Sequence, residues 1–220
     1  MSAEPKPREL ADLPYAEHLV AEDGVPESGA DYDVAQFTDA DFDGIKAGNL
    51  RFTESAFTGV SFGACELRRS RFNDVWLHGC QFNGSDLADT NWLDSEFVTS
   101  VFAGTALFDS QLIRVTFFGC KLVGTNFRGA ALRDVAFVNC TLRDVDFAEA
   151  KLTNLTFPGS TVSALYLDRV ELDSVDFRAA SELDIHSGFD ALKGAKISNT
   201  QLLDLAPAFA QALGVTVSDD

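Results

Sequence analysis

What this chain lacks narrows its work before any motif is read. No apolar run approaches 18 residues, so no segment reads as a membrane-spanning helix and no membrane partner is expected. The opening residues, MSAEPKPRELADLPYAEHL, have neither the basic start nor the apolar stretch of a secretory signal, and a cytoplasmic protein is the expectation. Basic residues are scarce: 17 Lys and Arg stand against 34 Asp and Glu, a formal charge of −17. A nucleic-acid binder needs a basic footprint to meet phosphates, so direct nucleic-acid binding is not expected. The acidic excess leaves two readings, solubility or imitation of a polyanion toward a basic partner.

The usual carriers of chemistry are also missing. The three histidines, His18, His78 and His186, sit in no metal-ligand spacing. The four cysteines, Cys65, Cys80, Cys120 and Cys140, form no C-x-x-C pair. No G-x-S-x-G, G-x-x-x-x-G-K or G-x-G-x-x-G stands between a strand and a helix. No catalytic residue, metal or cofactor is therefore expected.

What is abundant is phenylalanine, 19 residues against three Tyr and two Trp, and it is regularly placed. Residues 120–149 read CKLVG TNFRG AALRD VAFVN CTLRD VDFAE, with Leu or Phe third in each group of five. Extended in both directions, every fifth residue from 32 to 177 is apolar. Fifteen are Phe, eleven are Leu, and the rest are Tyr32, Ala47, Trp92 and Val162. Two residues earlier the side chain is Ala, Ser, Thr, Cys or Val, except at Ile45, Leu50, Leu155 and Leu165. All four cysteines occupy that position, which makes them small inward-facing side chains. A period of five fits neither a helix nor a strand held straight. It fits a short extended face with two inward residues, then a bend to the next face, repeated into a narrow closed tube.

The units AALRD, TNFRG, SDLAD and VDFRA resemble the pentapeptide-repeat motif, A(D/N)LXX, and the resemblance covers residues 30–180. It implies an all-β solenoid, a right-handed quadrilateral β-helix with four repeats per coil and a short C-terminal α-helical cap. Thirty repeats then give about 7.5 coils and a rod of roughly 36 Å at the ~4.8 Å spacing of paired strands. No loop breaks the register between residues 32 and 177. A convex rod offers no desolvated pocket to its outward acid pairs, Asp86 with Asp89 and Asp144 with Asp146, which again argues against an enzyme.

A solenoid needs closed ends. Residues 1–29 read as an acidic, proline-rich arm, mostly extended or disordered, with LPYAEHLV able to fold against the first coil. At the other end the register breaks at Glu182, and residues 181–197 read as an irregular end coil. Helical spacing then sets in over 198–214, opened by a Ser198/Gln201 capping box and stopped at Gly214, before a tail at 215–220. Pro207 predicts a kink or two short helices. The apolar positions of this segment, including Leu202, Leu205, Phe209 and Leu213, either cap the last coil or pair two copies. The resemblance implies the second use as well, a homodimer.

With four repeats per coil, residues 20 apart stack, so the sequence maps the outer surface. His78, Val98, Phe118, Val138 and Pro158 form one outward column, with Trp76 beside His78. Leu93 and Ile113 lie on the neighbouring face, and Phe108 also points out. Such a strip marks a partner surface or a bed for the N-terminal arm. Charge is uneven: −8 over residues 31–110 but +2 over 111–151, where Arg114, Lys121, Arg128, Arg133, Arg143 and Lys151 cluster. The resemblance implies a non-catalytic binder of DNA gyrase or topoisomerase IV that imitates a DNA duplex and inhibits or protects the enzyme, as quinolone-resistance members of the family do. The basic middle argues against that, and an interaction scaffold with an unrelated partner is the alternative.

Overall fold

The computed structural model describes residues 5–218; the first four residues of the expected arm and the last two of the expected tail lie outside them. The rod begins with the strand Asp31–Asp33 and climbs by parallel pairing of each short strand with the one 20 residues on. Among the described residues three of its faces are sheets, of eight, seven and six strands. The fourth is a file of single bridges, Lys46 to Glu66 to Asp86 to Ala106 to Asn126 to Asp146 to Tyr166. Taken in chain order, the first face holds Tyr32, Phe52, Phe72 and Trp92, and the second holds Phe37, Phe57 and Leu77. The third holds Phe42, Phe62 and Phe82, and the fourth Ala47, Leu67 and Leu87.

The bend that turns one face into the next is a left-handed residue. Every fifth residue from 34 to 174 has positive φ, and most are not glycine: Asp39, Asn49, Asp74, Arg114 and Asn154 among them. Asp and Asn tolerate this region better than other side chains, which explains their frequency at the turn. At Asp86, Asn126, Asp146 and Asp176, each just before a central residue, the carboxyl or amide oxygen accepts the N–H two residues on, at 2.8–3.1 Å. That bond tightens the turn and accounts for the second letter of the repeat motif.

The central residues fill the axis. Phe97, Phe117, Phe137, Phe157 and Phe177 stack at centroid spacings of 4.8–5.4 Å. Trp92 lies flat on Phe72 at 3.7 Å and donates its indole N–H to Thr90 Oγ1 at 2.9 Å. The small residues two positions earlier serve the backbone. Ser110, Ser160 and Cys140 donate to the carbonyls of Leu87, Phe137 and Phe117, each 23 residues back, at 3.0, 2.7 and 3.4 Å. No buried side-chain N or O among the described residues lacks a partner.

The ends depart from the expectation in detail. The last strand of the third face, Glu182–Ser187, pairs Leu183 with Val162, one residue out of the twenty-residue step, and the chain then leaves the repeat through a 3-10 turn, Phe189–Leu192. Helix α1, Asn199–Ala212, runs unbroken through Pro207, so the expected division at that residue is corrected. Proline removes the N–H that would bond the Leu203 carbonyl, but Leu203 is 74 % exposed and water can serve it. The capping box forms, with Gln201 N donating to Ser198 Oγ at 3.2 Å and Ser198 N to Gln201 Oε1 at 2.9 Å. Gly214, at φ 68°, closes the helix, and Val215 N donates to the Ala210 carbonyl at 2.8 Å. No helix among the described residues is long and apolar enough to cross a membrane.

Candidate partner surfaces

The apolar column on the second face is not open: of the two uses the sequence allowed, it serves as a bed for the N-terminal arm. Trp76, Val98, Phe118 and Val138 are buried in one cluster with Leu13 and Tyr15 of the N-terminal arm, and Leu10, Ala16 and Leu19 pack on its edge. The arm folds onto this face, with 3-10 turns at Leu10–Asp12 and Ala16–His18. It also reaches well past the first coil. Val20–Ala21 adds a strand beside Ala35–Thr38, and the chain before it climbs three coils to Glu96. His78 stacks on Trp76 at 5.4 Å, half-buried at the side of the covered strip.

A polar clamp holds the upper end of the arm. Arg8 donates from its backbone N–H to Glu96 Oε1 at 2.8 Å and from Nε to Glu96 Oε2 at 2.9 Å. Trp76 Nε1 donates in turn to the Arg8 carbonyl at 3.2 Å. Tyr15, buried beneath the arm, points its hydroxyl at the Ser55 carbonyl, 3.5 Å away, and burial raises its ionisation well above the ordinary phenol range, with Asp74 pushing the same way. Asp74 itself is raised by burial, opposed by Arg8 and reinforced by Asp94. Sequence reasoning missed Arg8 and Glu96, though it marked the stretch LPYAEHLV, which holds Leu13 and Tyr15, as able to pack. The available signal was a glutamate stacked on Trp76 beside the outward apolar column, facing an arm whose arginine precedes Leu10, Leu13 and Tyr15.

The other surface candidates lie apart from this cluster. Leu93 and Ile113 are half-buried on the first face, where Ile113 borders a shallow cleft of about 250 Å³ with Gln111, Arg133 and Lys151. Phe108 is on the fourth face, across the rod from the column, with the Arg68 guanidinium 5.5 Å above its ring. On α1 the four apolar positions divide. Leu205 is buried against the last coil, and Phe209 packs on the core with its ring 5.6 Å from Phe189. Gln201 anchors the cap by donating to the Phe177 carbonyl at 2.8 Å. Leu202 and Leu213 are 49 % and 79 % exposed, and Leu203, Val215 and Val217 are exposed beside them.

Charge on the rod is arranged in pairs across coils. Arg114 forks onto Asp94 with Nε and Nη2 at 2.5 and 2.7 Å. Arg128 bridges Asp146 at 3.0 Å and Glu149 at 3.3 Å, and Lys151 meets Glu171 at 3.5 Å. Arg133 and Arg143 each lie within 4 Å of the following aspartate. Thus the basic middle read from the sequence is largely neutralised by acids next to it, five of its six cations being paired. Hydrogen bonds from Arg114 to Asp94 and from Arg169 to Glu149 hold those carboxyls below their usual range.

The groups that could carry chemistry are held in other roles. Cys65 and Cys80 are buried, and burial pushes each thiol up to about 12. Asp86 pairs with Arg68, and Asp146 with Arg128. A cleft of about 470 Å³ between the last strand and α1 is lined by Asp184, His186, Phe189 and Gln211. Among the described residues no group of three or more His, Cys, Asp or Glu could hold a metal ion.

Comparison with known proteins places these features in a family. A model described as "Pentapeptide repeat region" matches residues 90–177, and one described as "Pentapeptide repeats (8 copies)" matches residues 35–74. No curated protein matches the sequence. Among solved structures the chain is similar to HetL, a pentapeptide repeat protein involved in heterocyst differentiation regulation from the cyanobacterium Nostoc sp. strain PCC 7120. The two share 15 % identity over 78 % of this chain and 91 % of that one, with a TM-score of 0.35. It is also similar to QnrB1, a plasmid-mediated fluoroquinolone resistance protein, at 17 % identity over 90 % of this chain and 96 % of that one, TM-score 0.37. A third is Rfr23 from the cyanobacterium Cyanothece 51142, at 15 % identity, 74 % and 91 % coverage, TM-score 0.22.

Proposed function

We propose, from the premise that this chain belongs to the pentapeptide-repeat family, that it is a non-catalytic binding rod for a type II topoisomerase, DNA gyrase or topoisomerase IV. The observation that carries this reading is the charge arrangement. The rod from residue 31 to 180 bears a net −8, and five of the six cations that would interrupt an acidic surface lie against carboxylates, three of them about one coil away and two on the following aspartate. A basic groove evolved for duplex DNA meets a polyanion in such a surface, without bases and without a backbone to cleave. The reading places the protein in the cytoplasm with that partner and needs neither cofactor nor metal.

A homodimer belongs to the same proposal. Leu202, Leu203, Leu213, Val215 and Val217 are all exposed at the C-terminal end, where five apolar side chains gather in sixteen residues of sequence. Two copies joined there would double the length of the acidic rod. The scaffold alternative, with an unrelated partner, draws its support from half-buried Leu93 and Ile113 on the first face.

A supercoiling assay tests the topoisomerase reading. At micromolar concentration the protein should inhibit gyrase supercoiling, or shift quinolone-stabilised cleavage, in a dose-dependent way. Unchanged supercoiling, cleavage and drug response for both gyrase and topoisomerase IV would rule it out and leave the scaffold reading.

A further inference from the structure

Glu96 sits oddly for a residue serving only the rod. It occupies an outward position stacked between Trp76 and Thr116, beside the apolar column of Val98, Phe118 and Val138, and is 7 % exposed. A carboxylate so stripped of water needs a cation with matched hydrogen-bond geometry. Arg8 supplies it through two donors, while the Trp76 indole reads the Arg8 carbonyl. Apolar seats for Leu10, Leu13 and Tyr15 follow along the face. The surface therefore takes one residue by two contacts to its backbone, reads its arginine side chain through Glu96 Oε2, and takes the next several residues by shape.

The segment that fills it is weakly tied. Its backbone N–H groups bond within the arm, Asp12 to Glu9, Leu13 to Leu10, Ala16 to Leu13 and His18 to Tyr15, and pairing with the rod resumes only at Val20. A segment with no backbone pairing to the rod between Arg8 and Val20, held there by the side chains of Leu13 and Tyr15, opens locally before the coils do. A cleft of about 200 Å³, lined by Pro7, Val98, Phe118 and Val138, already borders the arm's upper end.

We propose that the second face is a receptor for an arginine-anchored apolar segment of a partner protein, and that residues 8–19 are its built-in occupant, which must lift for the partner to bind. The partner segment sets an arginine on Glu96 and Trp76, with apolar residues two, five and seven positions later, as Arg8, Leu10, Leu13 and Tyr15 stand. The topoisomerase reading is independent of this device, and each can fail alone.

Full-length Arg8→Glu tests it by setting two carboxylates together, with Arg8→Ala as the milder variant. Amide exchange over residues 9–19 should quicken by about tenfold or more, as loss of charge-assisted hydrogen bonds implies, while the central strands keep their protection. A fluorescein-labelled peptide of residues 5–21 should bind the Arg8→Glu protein and bind wild type about tenfold or more weaker, because the wild-type arm competes. The exchanged pair Arg8→Glu/Glu96→Arg should close again, with slow exchange and no peptide binding. Unchanged exchange in both single variants overturns the clamp. An arm that lifts without creating a peptide site overturns the receptor.

Discussion

The left-handed residue at every fifth position makes the square tube possible, and it was only partly legible. Glycine at 44, 59, 79, 84 and 104 marks those turns in the sequence, yet Val34, Thr99 and Arg114 take the same conformation with side chains that resist it. The repeat enforces the turn at these sites because the coils above and below fix the backbone on both sides. The inward position two residues before each centre was legible as small, but its use was not. A serine or cysteine there reads as filler until the carbonyl 23 residues back is seen to accept its hydrogen. Burial of those thiols carries a prediction. With Cys65 and Cys80 raised from the ordinary value to about 12, the unfolded chain ionises at a pH where the folded one cannot. Stability is then intact below the unfolded thiol range and falls as pH rises through about 9 toward 12, by up to about 1.4 kcal/mol per pH unit for each thiol. Tyr15 is raised as well, so its contribution holds below the ordinary phenol pKa and is lost above it. Urea midpoints at pH 8 and pH 10.5 should differ in that direction, and equal midpoints would mean the thiols are not buried as described.

Among the elements, the coils and the C-terminal helix were readable and the seat of the N-terminal arm was not, for one physical reason. A coil is specified by residues 20 apart that alternate by a local rule, so each strand announces its neighbours. The arm is specified by Arg8 and Glu96, 88 residues apart, and by an apolar column that any partner could have covered. Proline content suggested a loose arm, but Leu13 and Tyr15 bury enough surface to order it. At the other end the capping box and Gly214 were legible because caps are local, whereas Pro207 misled. Its consequence depends on where Leu203 points, and Leu203 faces water. The helix also divides its apolar residues between two jobs, which spacing alone cannot do. Leu205 and Phe209 close the last coil, so a charge there damages the rod itself. Leu213 is free of that role and isolates pairing. Leu213→Asp should halve the mass measured by light scattering and leave the unfolding midpoint within about 0.5 kcal/mol of wild type in stability, as an exposed substitution does. An unchanged mass would retire the proposed helix contact.

At the scale of the whole molecule, sequence charge and spatial charge tell different stories. Counted along the chain, residues 111–151 are a basic island of +2. Counted in space, Arg114 leans back one coil to Asp94, and Lys151 leans forward one coil to Glu171. The twenty-residue period thus hides part of the island, because the partners of Arg114, Arg128 and Lys151 lie about one coil away in sequence, while Arg133 and Arg143 meet the aspartate that follows each. A surface acidic on balance, with few cations left unmatched, supports imitation of a polyanion and makes that imitation depend on salt. The most direct measurement is binding of the protein to gyrase by fluorescence anisotropy, repeated across salt concentrations and against linear duplex DNA as competitor. The account predicts saturable binding that weakens steeply with salt and is displaced by duplex. Binding that ignores salt and survives excess DNA, or no binding at low salt, would contradict it.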